Sequence, residues 1–486
     1  MNYTEEQTSF LEAVSKGENV FLTGGAGTGK TFILKEAVRM LQERGKKVIV
    51  CAATGTAAQH CEGTTLHRAF GFRYSSAIDA EHMTLNMNVT DALCEADTVI
   101  IDEISMVRMD LFDAAALSVR GAELKTGRHI QLITAGDFCQ LPPVINEKRG
   151  DLEILRRYYN RPISRAFAFQ ADHWNDFDFR YIVLHEVQRQ KDREFAGHLL
   201  RLSMGDIGAL AYFVRNSSPV LMQEGIYLYA RKDQADIMNR QRIDSLPGRA
   251  HVYTAIIKGN CSEADRVVPD ILKLKTGAKI VTVLNDPGGA YYNGSVGTVV
   301  KMLEKSIIVK MDTGSENVKI EYYTWHIFEY KAAENGGFVK DDAGTVSQLP
   351  VRLAYAMTIH RAQGFSFDNV NLDPYCWVSG QLYTALSRIR TVQGLYLLRH
   401  LDSEYLVTDD EAVRFMKMAE QRGKMTLSGS SLSLTAKSAK NTGRPLQYGM
   451  NTIAVRVPEP LKETIRQVCK EWAEDPDRRK IVCITK

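Results

Sequence analysis

Val20-Phe21-Leu22-Thr23-Gly24-Gly25-Ala26-Gly27-Thr28-Gly29-Lys30-Thr31 decides the fold of this chain. A short apolar run, Val20 to Leu22, breaks into a glycine-rich turn, and a helical pattern then runs to about Glu43, where Gly45 ends it. Strand, Gly24-x-x-x-x-Gly29-Lys30-Thr31, helix is the arrangement in which glycines let backbone N–H groups turn inward around phosphate oxygens, with the helix dipole behind them. On this reading Gly25, Gly27, Thr28 and Gly29 cradle the phosphates of ATP. Lys30 contacts the β- and γ-phosphates and Thr31 ligates Mg²⁺. A chance glycine-rich turn would not join this strand, this helix and the Gly-Lys-Thr ending.

Outward from that turn, Lys47–Ala52, Thr98–Ile101 and Ile130–Ile133 read as further short apolar strands. Strands of this kind alternating with helices mean a parallel sheet covered on both faces. The first α/β domain is expected over 1–178, interrupted by an insertion at 72–96. A second α/β pattern is expected over 179–271 and 350–423, with Ile226-Tyr227-Leu228-Tyr229 as one of its strands. Between its halves, 272–349 alternates strands with the turn signals Asp286-Pro287-Gly288-Gly289, Asn293-Gly294, Asp312-Thr313-Gly314 and Gly336-Gly337. That pattern predicts an inserted small β-barrel.

Residues 424–450, rich in Ser, Gly, Thr and Lys, read as a flexible linker. In the tail, Ile453, Val455 and Val457 alternate as a strand face, and Leu461, Ile465, Val468 and Trp472 form a helical stripe. A small β-α element is therefore expected over 451–486. Gln421 to Lys486 holds 13 basic and 6 acidic residues, while the rest of the chain holds 48 and 52. The basic tail suits an extra salt-sensitive grip on DNA, a protein partner, or a solvated end.

With 44% hydrophobic and 24% charged residues, the 486-residue chain is not of disordered or collagen-like composition. No stretch approaches the roughly 18 consecutive apolar residues of a membrane span, and the first residues carry no secretory pattern. The eight cysteines are scattered without a CxxC pair, so reduced thiols in a cytosol are expected rather than a zinc site or disulfide framework.

Val99-Ile100-Ile101-Asp102-Glu103 places two carboxylates at the end of a buried strand. There Asp102 can hold Mg²⁺ and Glu103 can polarise an attacking water, which points to hydrolysis of the nucleotide. The same ending is common and structural where no phosphate-binding turn accompanies it.

Further segments follow in order. Ala52-Ala53-Thr54-Gly55-Thr56-Ala57-Ala58 leads to Thr64-Thr65-Leu66-His67, then Gly136-Asp137-Phe138-Cys139-Gln140-Leu141-Pro142-Pro143-Val144. Gln188-Arg189-Gln190-Lys191-Asp192 comes next. Ala356-Met357-Thr358-Ile359-His360-Arg361-Ala362-Gln363-Gly364 and Tyr383-Thr384-Ala385-Leu386-Ser387-Arg388 close the set. Together these resemble the motifs of superfamily one, type B helicases, most closely the PIF-family DNA helicases with the RecD-like and Dda-like enzymes as relatives. The resemblance runs from about Tyr3 to Leu401. It implies two RecA-like motor domains with parallel sheets, an SH3-like barrel at 272–349, and a strand-separating pin or wedge at 72–96. It also implies 5′-to-3′ movement on single-stranded DNA; a monomeric motor acting on single-stranded and forked DNA in a bacterial or phage-like cytoplasm is expected, and replication, repair, recombination and plasmid or phage maintenance all stay open as its process.

By the same resemblance Gln7 contacts adenine, Gln140 senses the γ-phosphate, and Arg189 and Arg388 reach across the cleft as arginine fingers. Gly364 lets the backbone approach nucleotide and DNA. Thr54, Thr56, Thr65 and His67 contact DNA from the first motor domain, and Thr358 and His360 from the second. Taken singly, each Thr reads as a cap or turn residue, His360 as a core histidine and each arginine as a surface ion pair. Phe70, Phe72 and Tyr74 offer a base-stacking face of which at least one ring belongs to the core. The chain departs from the family at Ala53, Gln188 and Ala362, where proline, an aromatic and serine are usual. Three readings stay open: an unwinding helicase, a translocase that strips proteins or remodels R-loops, and a nucleotide-switched DNA-binding protein.

Overall fold

The protein is described here as a computed structural model covering residues 3–72, 77–146, 150–189, 192–218, 220, 222, 225–312, 317–333 and 338–427. The expected linker from 428 onward, the 451–486 element and Tyr74 lie outside these residues.

The first sheet has six strands, all parallel, in the order Thr64–Thr65, Val48–Ala52, Thr98–Asp102, Gln131–Ala135, Val20–Gly24 and Arg180–Leu184. The four strands Val20–Gly24, Val48–Ala52, Thr98–Asp102 and Gln131–Ala135 are buried along their whole length. This is why they read as unbroken apolar runs rather than alternating ones. Helices cover both faces. Phe10, Ile33, Leu34 and Leu41 pack on one side, and Phe112, Val119 and Trp174 on the other.

A second sheet, Ala356–Thr358, Ile226–Tyr229, Val370–Leu372 and Leu395–Leu397, is also wholly parallel. The chain thus carries two RecA-like α/β motor domains. Antiparallel strands occupy the sequence between the halves of the second. Five of them order as Asn317–Glu321, Ser306–Met311, Val296–Met302, Lys279–Thr282 and Val351–Leu353 around a separate core of Ile280, Val299, Ile307, Val309 and Ile320. The long hairpin Tyr323–Ala332/Phe338–Gln348 reaches back onto the first motor domain. There Tyr330 accepts a hydrogen bond from the Val50 amide at 3.0 Å, and Thr64 donates to the Phe328 carbonyl at 3.1 Å. Arg68 pairs with Asp265 at 2.7 Å and Glu329 at 3.1 Å.

Three expected boundaries change. The strand Arg180–Leu184 pairs with Val20–Gly24, so the first domain's sheet extends past 178. The antiparallel region begins at His251, whose strand pairs with Ile271–Leu274, and not at 272. The helix Asp410–Leu427, expected in the second domain up to 423 and in the linker beyond, returns to the edge of the first sheet. Its Phe415 stacks on Phe169 at 4.3 Å, and Gly423 lies against Val183. The reason is the aromatic face of that sheet, where Phe415 packs on Phe21, Phe138, Trp174 and Tyr181 and, with Met416 and Ala419, joins their core. Among its described residues, the insertion expected at 72–96 holds the two-residue strands Ile78–Asp79 and Thr84–Leu85 and a helix Asp91–Glu95.

Candidate active site

The glycine turn sits at the C-terminal end of the strand Val20–Gly24, where parallel sheets place ligands, and it opens the helix Lys30–Glu43. Thr28 Oγ1 donates to the Gly25 carbonyl at 2.9 Å. The Gly27 carbonyl accepts from the amides of Gln188 and Arg189 at 2.8 and 3.2 Å, which binds the segment carrying Arg189 to the loop. Lys30 Nζ donates to the carbonyls of Gly24 and Gly25 at 2.9 and 3.1 Å.

Thr31 Oγ1 donates to Asp102 Oδ2 at 3.2 Å. Burial first, and the charge of Glu103 second, push the Asp102 carboxyl up to about 7. A divalent cation between hydroxyl and carboxylate oxygens would return that carboxyl to its ionised form, and oxygen donors are what Mg²⁺ takes. No cluster of three or more His, Cys, Asp or Glu side chains suited to a metal exists among the described residues. Glu103 has φ 52 and ψ 45, a left-handed conformation uncommon outside glycine.

Lys30, Arg189 and Arg388 form a group of cations of which Arg388 is buried and Lys30 and Arg189 are partly covered. Burial lowers the Lys30 ammonium, against the opposing pull of Asp137, Glu103 and Asp102. Burial lowers Arg189 too. Arg388, 2% exposed, is pushed down to about 9 by burial first and by Arg189 second. Arg189 Nη1 donates to the Ser387 carbonyl at 3.1 Å, beside Arg388. The Arg388 guanidinium donates to Thr384 O and Ser387 Oγ. Burying cations without a carboxylate at contact distance is costly. Three together make a site complementary to a polyanion such as a triphosphate.

Gln140 Nε2 donates to Asp137 Oδ2 at 3.1 Å. Gln7 serves in the capping box of the helix Glu5–Ser15, its Oε1 accepting from the Thr4 amide at 3.1 Å. A Cβ built on Gly29 would stand 3.8 Å from Gln7 Nε2, so the side chain borders the loop. Gly364, with φ +88, faces the His60 ring of the first domain, where a Cβ would come within 2.7 Å of Cε1.

The residues expected at DNA are spread over both domains, most of them in or capping short helices and strands. Thr54 caps the helix Gly55–His60 by accepting from the Ala57 amide at 3.2 Å, and Thr56 lies in that helix, partly exposed. Thr358 accepts from the Arg361 amide at 3.2 Å. Thr65 and Thr358 are each 7% exposed, so in this arrangement their side chains are covered. His67 packs edge-on to Phe72, and His360 is lowered by burial. Of the aromatic trio, Phe70 is in the core and Phe72 stacks on it at 5.5 Å.

Sequence reasoning passed over Asp137, Gln363, Gly380 and the role of Tyr383. Asp137 follows the strand Gln131–Ala135 closely and was legible as an acidic residue at a strand's C-terminal end. The other three join the two domains, and nothing local marks them.

A phosphate-binding loop on one parallel sheet, faced by arginines held beside a second, defines a two-domain P-loop nucleoside triphosphatase of the RecA-like kind. Residues 2–209 match the family described as PIF1-like helicase. The chain is 31% identical over 429 residues to the ATP-dependent DNA helicase Pif1 of Bdellovibrio bacteriovorus, covering 85% of this chain and 92% of that protein. It is 30% identical over 459 residues to ATP-dependent DNA helicase PIF1 of Danio rerio, covering 91% of this chain and 67% of that one. Bacteroides sp Pif1 in complex with ADP-AlF4 superposes with a TM-score of 0.75 at 30% identity, over 87% of this chain and 98% of that chain. The same Bacteroides protein bound to ssDNA superposes at 0.61. The chain belongs to the PIF1-like helicase family.

Proposed function

We propose that this chain is an ATP-dependent DNA helicase that moves 5′-to-3′ along single-stranded DNA and opens forked duplexes by hydrolysing ATP. The observation that carries the reading is the cluster of Lys30, Arg189 and Arg388 with Asp102 and Glu103, assembled from both motor domains around one phosphate-binding loop. A protein that only switched its grip with nucleotide would not need the water-polarising carboxylate and both arginines.

Thr31 and Asp102 hold Mg²⁺, which when bound neutralises charge on the phosphate oxygens. Lys30 binds the β- and γ-phosphates, and Glu103 takes the proton of the attacking water. Gln140, held by Asp137, orients at the γ-phosphate, and Arg189 and Arg388 stabilise the charge on the transferring phosphoryl group. Gln7 borders the base. Thr54, Thr56, Thr65, His67, Thr358 and His360 supply DNA contacts once the domains rearrange to uncover Thr65 and Thr358. The five-stranded antiparallel sheet is taken as the SH3-like insertion, and Ile78–Leu85 as a short wedge.

Unwinding of 5′-tailed and 3′-tailed duplexes with Mg²⁺ and ATP tests activity and polarity together, with Lys30→Ala as the inactive control. Translocation on blocked single strands without duplex opening would favour the stripping translocase instead. Wild-type hydrolysis indifferent to added single-stranded DNA would count against any motor.

A further inference from the structure

Tyr383 lies on the short helix Gln381–Leu386 of the second motor domain and is 2% exposed. Its hydroxyl does two things at once. It accepts a hydrogen bond from the Ala26 amide of the phosphate-binding loop at 2.8 Å, and it donates to Asp137 Oδ2 at 3.0 Å. That carboxylate oxygen also receives Gln140 Nε2 at 3.1 Å, and Asp137 Oδ1 accepts from the Cys139 amide at 3.0 Å. One phenol therefore joins the loop that holds phosphate to the carboxylate that holds Gln140.

The chemistry requires a hydroxyl. Only a group that both accepts and donates can bridge an N–H and a carboxylate, and phenylalanine of the same shape can do neither. Burial, and then the charge of Asp137, raise the phenol well above its ordinary value, so it stays a donor through the physiological range. The same helix leads into Ser387 and Arg388. Ser387 offers its carbonyl to Arg189, and its hydroxyl receives Arg388. The hydroxyl of Tyr383 thus sets the distance between the loop and the segment that carries Arg388 and, through the Ser387 carbonyl, receives Arg189.

We propose that Tyr383 is a positioning residue for hydrolysis, whose hydroxyl registers Ala26 and Asp137 against the segment carrying Arg388, so that closure of the two domains brings the arginines and Gln140 to the γ-phosphate together. The proposal rests on the helicase reading above. It assigns no contact between Tyr383 and the nucleotide. Tyr383 acts through Gln140 and Arg388.

The test is Tyr383→Phe in the full chain, which keeps the ring and removes the oxygen. With Mg²⁺, ATP and saturating single-stranded DNA, kcat is expected to fall about 10-fold or more, the scale of a buried hydrogen bond to a charged group. KM for ATP and binding of a fluorescent ATP analogue should stay within about threefold, the split expected when only the transition-state arrangement is disturbed. In Tyr383→Phe/Arg388→Ala, kcat should match that of Arg388→Ala alone, because a positioning residue has nothing left to position. A Tyr383→Phe enzyme with wild-type kcat overturns the proposal. So does a loss shared equally by nucleotide affinity, or a double variant whose losses add in full. If wild-type hydrolysis is not stimulated by single-stranded DNA, the helicase reading falls and the proposal with it. A stimulated wild type with an equally stimulated Tyr383→Phe removes the proposal alone.

Discussion

Gln363 Nε2 donates to Glu103 Oε2 across 3.1 Å, so the loop that ends the second domain's Ala356–Thr358 strand touches the carboxylate that ends the first domain's Thr98–Asp102 strand. Glu103 is thereby both the base of the proposed reaction and a meeting point of the two domains. Its left-handed backbone holds the side chain at that junction.

Glu103→Gln separates those two roles. The amide oxygen still accepts from Gln363, while the base is gone. Hydrolysis should fall by about 10² to 10⁴-fold, with ATP affinity within a few-fold of wild type. Steady-state ATPase and nucleotide titration check it, and loss of binding would make Glu103 a structural residue.

Arg388→Ala should lower DNA-stimulated hydrolysis by about 10³-fold or more, as removal of an arginine finger does, with a much smaller effect on nucleotide affinity. Arg388→Lys should recover little, because an ammonium cannot reproduce the planar fork. Single-turnover hydrolysis with pre-bound ATP measures this directly.

Gly380→Ala reports on the domain junction. Gly380 has φ +72, and a Cβ there would stand 2.1 Å from the Gln140 carbonyl and 2.4 Å from that of Cys139. Backbone cannot give way cheaply, so the loop leading to Tyr383 must lift. The expected result is a loss of DNA-stimulated ATPase of at least about 10-fold, the cost of misplacing reacting groups. Unchanged turnover would mean that the two domains need not meet at this point.

His185 predicts a pH dependence. Its Nδ1 lies 3.0 Å from Glu6 and its Nε2 2.9 Å from Glu420, so both ring nitrogens face carboxylates and Lys424 flanks the second. Burial lowers the imidazole, but the two carboxylates outweigh it and the net shift is upward. A raised folded value means that the stabilisation is complete below the unfolded value of about 6.5 and fades as pH rises through the folded one. Glu6 and Glu420 are shifted down, so their share fades at acid pH instead. The thermal midpoint of wild type relative to His185→Gln should therefore narrow between neutral and alkaline pH. Parallel midpoint curves across that range would refute the pairing.

Arg68→Ala should destabilise the packing of the antiparallel region on the first motor domain. Arg68 is 10% exposed in its side chain and pairs with Asp265 at 3%. Removing one partner of a buried pair costs about 3 to 5 kcal/mol. Arg68→Lys should restore only part, because Arg68 grips Asp265 through both Nε and Nη2. Denaturant unfolding monitored at Trp325 follows the loss.

Much of the fold was legible because buried parallel strands leave a local mark. Val20–Gly24 and Thr98–Asp102 are covered on both faces, and that burial appears in sequence as short apolar runs ending in Gly or Asp. The phosphate-binding turn was legible for a related reason, since a backbone cradle needs glycines at fixed spacing. The segment boundaries were less so. Nothing in Arg180–Leu184 says which sheet it joins, and nothing in Asp410–Leu427 says that its apolar stripe covers the first sheet rather than the second.

By itself the sequence marked the candidate nucleotide residues in two local pairs: Lys30 and Thr31 open the helix after one buried strand, and Asp102 and Glu103 end another, so each pair is held by local structure. Only tertiary structure decided how the far segments meet. Gln363 on Glu103, Tyr383 between Ala26 and Asp137, and Gly380 against Gln140 join residues 240 or more positions apart. Hydrogen bonds and van der Waals contacts act over a few ångströms. Two residues so distant in sequence acquire a relationship only when both domains have folded and packed.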